Sequence, residues 1–294
     1  MLVVAYARYA ASSSPRAPGA SALESSMYFC VGTLGCVSAD AWTDRLNPMT
    51  DFALSPLLLG FIAAVANVAG GLILVSRRHW NDLVLRYFVA LGAGFMLATT
   101  LVYMLPVAVG QGDRGPMLIL AGYFLVHFFE HTVAPHFHFG EETHAHAMEK
   151  PGAPWTALVG LSVHAFFDGL SIASGLAVSR SLGLLVFVAI LLHKLPEGFT
   201  VASIALASGQ GRRGALRSSL VLAAATLLGA LSLVDPSWVG VALPLSTGVT
   251  LYVAASDLIP EVNAIRGLRM AAAVFAGVAL SLLGAEALEL AGLH

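Results

Sequence analysis

The sequence predicts an all-α integral membrane protein with eight transmembrane helices, and three observations carry that expectation. Of the 294 residues, 57% are apolar and only 11% charged, whereas soluble domains carry about 25% charged residues. Mean hydropathy is +0.81. Apolar runs long enough to cross ~30 Å of hydrocarbon, roughly 20 residues each, recur through most of the chain. Such runs must be helical, because an open sheet edge leaves backbone groups unsatisfied in lipid. The net charge of -2 says nothing about partners, no basic cluster suggests a nucleic-acid partner, and the lipid bilayer is the expected surround.

Residues 1–50 stand outside this pattern. They are rich in Ala, Ser and Pro at first, then briefly apolar around "MYFCVGTLGCVSADA". That stretch is too short to span and too weakly preceded by positive charge for a signal peptide. The segment reads as a disordered tail or an over-long gene start, with Met49 as the alternative first residue. Its two cysteines, Cys30 and Cys36, have no metal-binding spacing and are too few for a disulfide framework.

Residues 51–294 hold the spans, expected near 55–76, 84–108, 115–135, 155–178, 182–207, 217–234, 238–260 and 268–291. Arg77, Arg78 and Arg86 lie in or beside the first loop, Lys150 in the third, Arg212, Arg213 and Arg217 in the fifth, and Arg266 and Arg269 at the seventh. The even loops hold only Arg114 and Arg180. By the positive-inside rule the odd loops face the cytoplasm and both chain ends lie outside. An even number of spans agrees with two ends on one side.

The third loop, 136–154, contains His136, His138, His144 and His146 among three glutamates and one lysine. It reads either as a weak, exchangeable metal-binding tract or as a solvated loop.

The chemistry is concentrated in the fourth and fifth spans. "HAFFDG" (164–169) and "HKLPEG" (193–198) each write histidine, three residues, an acid and glycine, and the likeness continues through Ser174 and Ser203. Ionisable groups in a membrane helix cost about 2.5–3.5 kcal/mol each on insertion scales, so they mark sites or pathways. Residues four apart share a helical face, which pairs His164 with Asp168 and His193 with Glu197. Two imidazoles and two carboxylates suit zinc and its first-row neighbours. A short connection around Ser179–Ser181 makes the two helices antiparallel neighbours. Their motifs are then related by a pseudo-twofold axis in the membrane plane, the usual place for a transported substrate. A single His-acid pair also serves as an interhelical hydrogen bond; two matched pairs at equal depth favour a shared metal site.

Pro196 removes a donor in mid-helix and frees a carbonyl near Leu192. Gly92 and Gly94 of the second span suggest close packing, with Met96 either a soft metal contact or plain packing. Glu130 with His127 and His131, and Asp257 with Glu261, lie toward the cytoplasmic ends of the third and seventh spans. They either line a pathway or snorkel to the interface.

"HAFFDG", "HKLPEG", "AGFMLATTLVYMLP" and "SDLIPE", together with a His-rich third loop, resemble the ZIP (Zrt/Irt-like) metal transporters over residues 52–294. The resemblance implies a 3+2+3 arrangement in which the first and last three spans are inverted repeats, often in a homodimer. It implies transport of zinc, or of iron, manganese or cadmium, into the cytoplasm, with no organic cofactor. By position it maps the primary metal site to His164, Asp168, His193 and Glu197, with Met96 beside them. Asp168 is one methylene shorter than the glutamate of many members. A second metal position found in some bacterial members falls on Ala165, Lys194 and Thr226, which implies a mononuclear site with Lys194 as the charge substitute for the second metal. Tyr103 and Ser256 stand where histidines of the outer and inner relay are common.

The competing expectation is a membrane-embedded zinc-dependent hydrolase, which would need an open water position and a general base. The sequence contains no HExxH, and its symmetric repeat suits a pathway better than a centre with unequal roles.

Overall fold

The structure is a computed structural model that describes residues 28–30, 36–38, 55–76, 82–133, 153–233, 236–264 and 267–292. The chain divides into two units, Met1–Thr50 and Asp51–His294. In the first, β1 (Tyr28–Cys30) pairs antiparallel with β2 (Cys36–Ser38), with Phe29 opposite Val37. The apolar stretch that is too short to span supplies both strands.

The second unit is helical. Its elements are α1 (Pro56–Ser76), α2 (Leu83–Val109), α3 (Gly115–Phe128, continued by Phe129–Val133), α4 (Ala153–Val178), α5 (Arg180–Ala207), α6 (Gly211–Ser232), α7 (Val239–Asn263) and α8 (Leu268–Leu290). All except α3 are individually long and apolar enough to cross a membrane. In α3 a π-helical turn at Phe129–Val133 interrupts the α-helix after 14 residues. The sixth span corrects its expected start: α6 begins at Gly211, so Arg212, Arg213 and Arg217 lie exposed on the helix, Arg212 and Arg213 in its first turn. Gly209 (φ 77°) and Gly211 (φ 68°) make the left-handed turn between α5 and α6, a conformation glycine adopts without steric cost.

Local signals explain the helix starts. Ser55 caps α1 by accepting from Leu58 N at 3.1 Å, and Pro56 fills the first helical position, where no donor is needed. Ser179, in extended backbone, caps α5 by accepting from Leu182 N at 3.1 Å. It is the single residue between α4 and α5, so those helices form a tight antiparallel hairpin.

Packing carries the inverted repeat. α1 packs on α5 and α6, α4 on α5 and α6, α2 on α8 and α5, and α3 and α4 on α7. Exchanging α1 with α6, α2 with α7, α3 with α8 and α4 with α5 returns the same set of pairs. The irregularities exchange as well. α2 carries a π-helical segment at Thr99–Met104 before Pro106, and α7 carries one at Val253–Leu258 before Pro260. A proline that cannot donate leaves a carbonyl to accommodate, and a widened turn does so. The α4–α7 seam is tied by hydroxyl pairs, Ser171 with Thr250 at 3.2 Å and Ser174 with Ser246 at 3.4 Å.

Candidate metal centre

α4 and α5 cross where glycine follows each acid. A side chain at Gly169 would strike the backbone carbonyl of Thr226 in α6, and one at Gly198 that of Asn67 in α1. Bare backbone at these two positions lets the flanking helices close on the central pair. The i, i+4 spacing then turns His164 and Asp168 from α4 toward His193 and Glu197 from α5. One ligand atom from each of the four lies within 4.8 Å of the others. All four are nearly or fully buried, Glu197 being the most accessible at 9%.

Asp168 Oδ2 is the hub. It lies 3.1 Å from His164 Nε2, 3.3 Å from His193 Nε2 and 2.7 Å from Lys194 Nζ. Lys194, fully buried, also reaches Glu197 Oε2 at 2.5 Å, so one ammonium ties both carboxylates. His193 Nδ1 donates to Ala189 O at 3.0 Å. That bond occupies Nδ1 and turns Nε2 toward the centre, the ring orientation that metal-binding histidines use. His164 Nδ1, Asp168 Oδ1 and Glu197 Oε1 are buried without a hydrogen-bond partner. Each is a strong ligand atom, and orphaned buried polar atoms of this kind are rare in native proteins. The donor set of two imidazoles and two carboxylates, each with a lone pair to spare, fits a divalent first-row cation.

Lys194 Nζ lies between the two acids. Met96 is fully buried among apolar neighbours that include Phe95, Ala189 and Ile190. One turn earlier, Gly92 faces Leu192 and His193 N, at the proline-loosened turn of α5. From α3 and α7 the fold brings Glu130, Tyr252 and Asp257 within electrostatic reach of one another. Asp257 is within electrostatic reach of both His164 and Glu261. Tyr123 pairs with Ser256 at 2.9 Å. His127 and His131 stack with ring centroids 3.9 Å apart, and the exposed His131 bonds back to its own helix at His127 O. His136, His138, His144 and His146 lie outside the described residues.

Two features are absent from the sequence reading. Asn67, fully buried in α1, donates from Nδ2 to Glu197 Oε2 at 3.3 Å. It is the one amide in α1, and a lone carboxamide in the middle of an apolar span is the signal that marks it. Tyr252, within reach of Glu130, carries no comparable mark in a membrane sequence.

Fold and site together define a multi-pass membrane protein with a buried His, Asp and Glu cluster that could hold a metal ion, on an internal twofold. Residues 140–285 match the family model described as ZIP Zinc transporter. It is 35% identical over 140 residues to zinc transporter ZIP9 of Micropogonias undulatus, covering 41% of this chain and 45% of that protein. It is 37% identical over 122 residues to zinc transporter ZIP9 of Macaca fascicularis, covering 36% and 51%. A zinc transporter ZIP13 homolog of Drosophila melanogaster is 34% identical over 120 residues, covering 38% and 34%. The chain thus spans about half or less of the length of these curated relatives.

Proposed function

We propose that the protein moves divalent transition-metal ions, zinc foremost, across a membrane into the cytoplasm through a mononuclear site formed by His164, Asp168, His193 and Glu197. The observation that carries this reading is the convergence of those four ligand atoms within 4.8 Å of one another at a buried helix crossing. Iron, manganese and cadmium share the ligand chemistry and are the alternative cargoes.

Lys194 gives the cycle its logic. Without cargo, the ammonium compensates two buried carboxylates that would otherwise be strongly destabilising. An arriving dication competes for the same oxygens, and like-charge repulsion drives the ammonium off them. When the ion leaves, Lys194 returns. Lys194 fills the space of a second ion, so one cation passes at a time. Met96 serves as a soft wall beside the site. Glu130 and Asp257, with Glu261, His127 and His131 beyond them, form the way out toward the cytoplasm. The loop histidines His136, His138, His144 and His146 collect or release ions weakly at that side. Both chain ends face outward, and the protein works as a homodimer without an organic cofactor.

The hydrolase alternative finds no support in the residues around the site. Its groups repeat across the twofold instead of dividing into acid, base and nucleophile, and a lysine holds both acids. Purified protein in liposomes tests transport directly: zinc influx is expected, and His164→Ala or Glu197→Ala should abolish it. Bound zinc with no influx, accompanied by ester or amide cleavage, would return the hydrolase.

A further inference from the structure

The residues flanking the centre obey the twofold in position and break it in chemistry. Gly198 packs on Asn67 of α1, and Gly169 packs on Thr226 of α6. The contacts one turn away match: Gly70 faces Leu195, and Gly229 faces Phe166. Each partner stands at the same three-residue spacing, so Asn67 and Thr226 are counterparts, both fully buried beside the glycine that follows a ligand carboxylate. Thr226 turns away and donates to its own helix at Leu222 O, 3.2 Å. Asn67 reaches across to Glu197 Oε2, while its Oδ1 is buried without a partner. A carboxamide buried with half its capacity unmet is unfavourable as plain packing, where an apolar side chain would carry no such penalty.

We propose that Asn67 is a positioning residue for Glu197, holding Oε2 so that Oε1 alone is presented to the passing cation. This rests on the reading of the centre as a metal site. Two groups hold Oε2, Lys194 and Asn67, and they respond differently to cargo. The ammonium is repelled by a dication, whereas the neutral carboxamide is not, so Asn67 keeps its hold when Lys194 lets go. Glu197 then binds through one oxygen, and the ion is not chelated by a freely turning carboxylate. The first span acquires a direct role at a site otherwise built by α4 and α5.

The test uses the purified full chain with Co2+ as probe, read by equilibrium titration and visible absorption. Asn67→Leu keeps the branched shape, with more bulk, and has no donor, and Asn67→Ala removes the group altogether. Both should weaken Co2+ binding about tenfold or more, the usual effect of losing a hydrogen bond to a ligand. Both should also shift the absorption bands toward a higher coordination number as Glu197 becomes bidentate. In a Glu197→Gln background the same substitutions should add little, because coupled residues are not additive. Unchanged affinity and bands, or an equal loss in the Glu197→Gln background, would overturn the proposal. Undiminished Co2+ binding in Glu197→Gln alone would instead overturn the reading of the centre. If neither Asn67 variant folds, X-ray absorption of the zinc-loaded wild type decides: four nitrogen or oxygen neighbours near about 2.0–2.1 Å are expected, and a fifth from a chelating carboxylate refutes the proposal.

Discussion

At the scale of the residue, Lys194 ties the two carboxylates of the centre together. It is fully buried and holds Asp168 at 2.7 Å and Glu197 at 2.5 Å. Taking away one partner of a buried ionic cluster costs about 3–5 kcal/mol, because the remaining charges have no compensation. Lys194→Met should therefore lower the melting temperature of the metal-free protein. Zinc should restore more stability to the variant than to wild type, since it no longer competes with an ammonium. Thermal melting with and without zinc measures both, and equal melting with equal zinc affinity would remove Lys194 from the cycle. The four ligands were legible in the sequence because histidine and acid four apart must share a helical face, whatever the surroundings. Asn67 was not, because its partner Glu197 is 130 positions away and no local spacing connects them.

Elements meet here through backbone, and this sets which substitutions they tolerate. A Cβ at Gly198 would collide with the carbonyl of Asn67, and one at Gly169 with that of Thr226. Backbone cannot step aside as a flexible side chain can, so a helix must move. Gly198→Ala and Gly169→Ala should each cost about 1–3 kcal/mol or more through overpacking, and should displace the ligands at the same time. Gly92→Ala is the control, because its Cβ would meet Leu192 Cβ at 3.4 Å, an ordinary contact. Comparing zinc affinity and detergent-solubilised stability of the three variants checks this, and a destabilised Gly92→Ala beside an intact Gly198→Ala would contradict it. Helix identity was readable from apolar runs, and α1, α2, α5, α7 and α8 start within two residues of expectation. The π-helical segments were not readable. Pro106 and Pro260 stand just after two of them, but a proline marks only a weakened ladder, and packing decides that the turn widens. The early start of α6 was missed because Arg212 and Arg213 look like loop residues, although arginines at a membrane surface are compatible with a helical turn.

The whole molecule has an inverted repeat that the sequence displays openly only in its central two helices. The outer six helices share little visible similarity, yet their packing exchanges pair for pair. An inverted repeat requires an even number of spans, with both ends on one side of the membrane. Positive charge in the odd loops predicts that this side is the outside. A reporter fused after His294 should therefore be accessible from outside intact cells, and a cytoplasmic reporter would reverse the assigned direction of the pathway. The sequence by itself determined that the chain lies in a membrane, about where it crosses, and which four side chains to expect together at a buried charged centre, because lipid demands long apolar helices and a buried charge needs a reason. The tertiary structure alone decided what surrounds those four: Lys194 clamped across both acids, Glu130 brought near Asp257 from separate helices, and Asn67 brought to Glu197 from the first span. Such contacts depend on helix crossings and glycine-to-backbone approach, which arise between elements far apart in the chain.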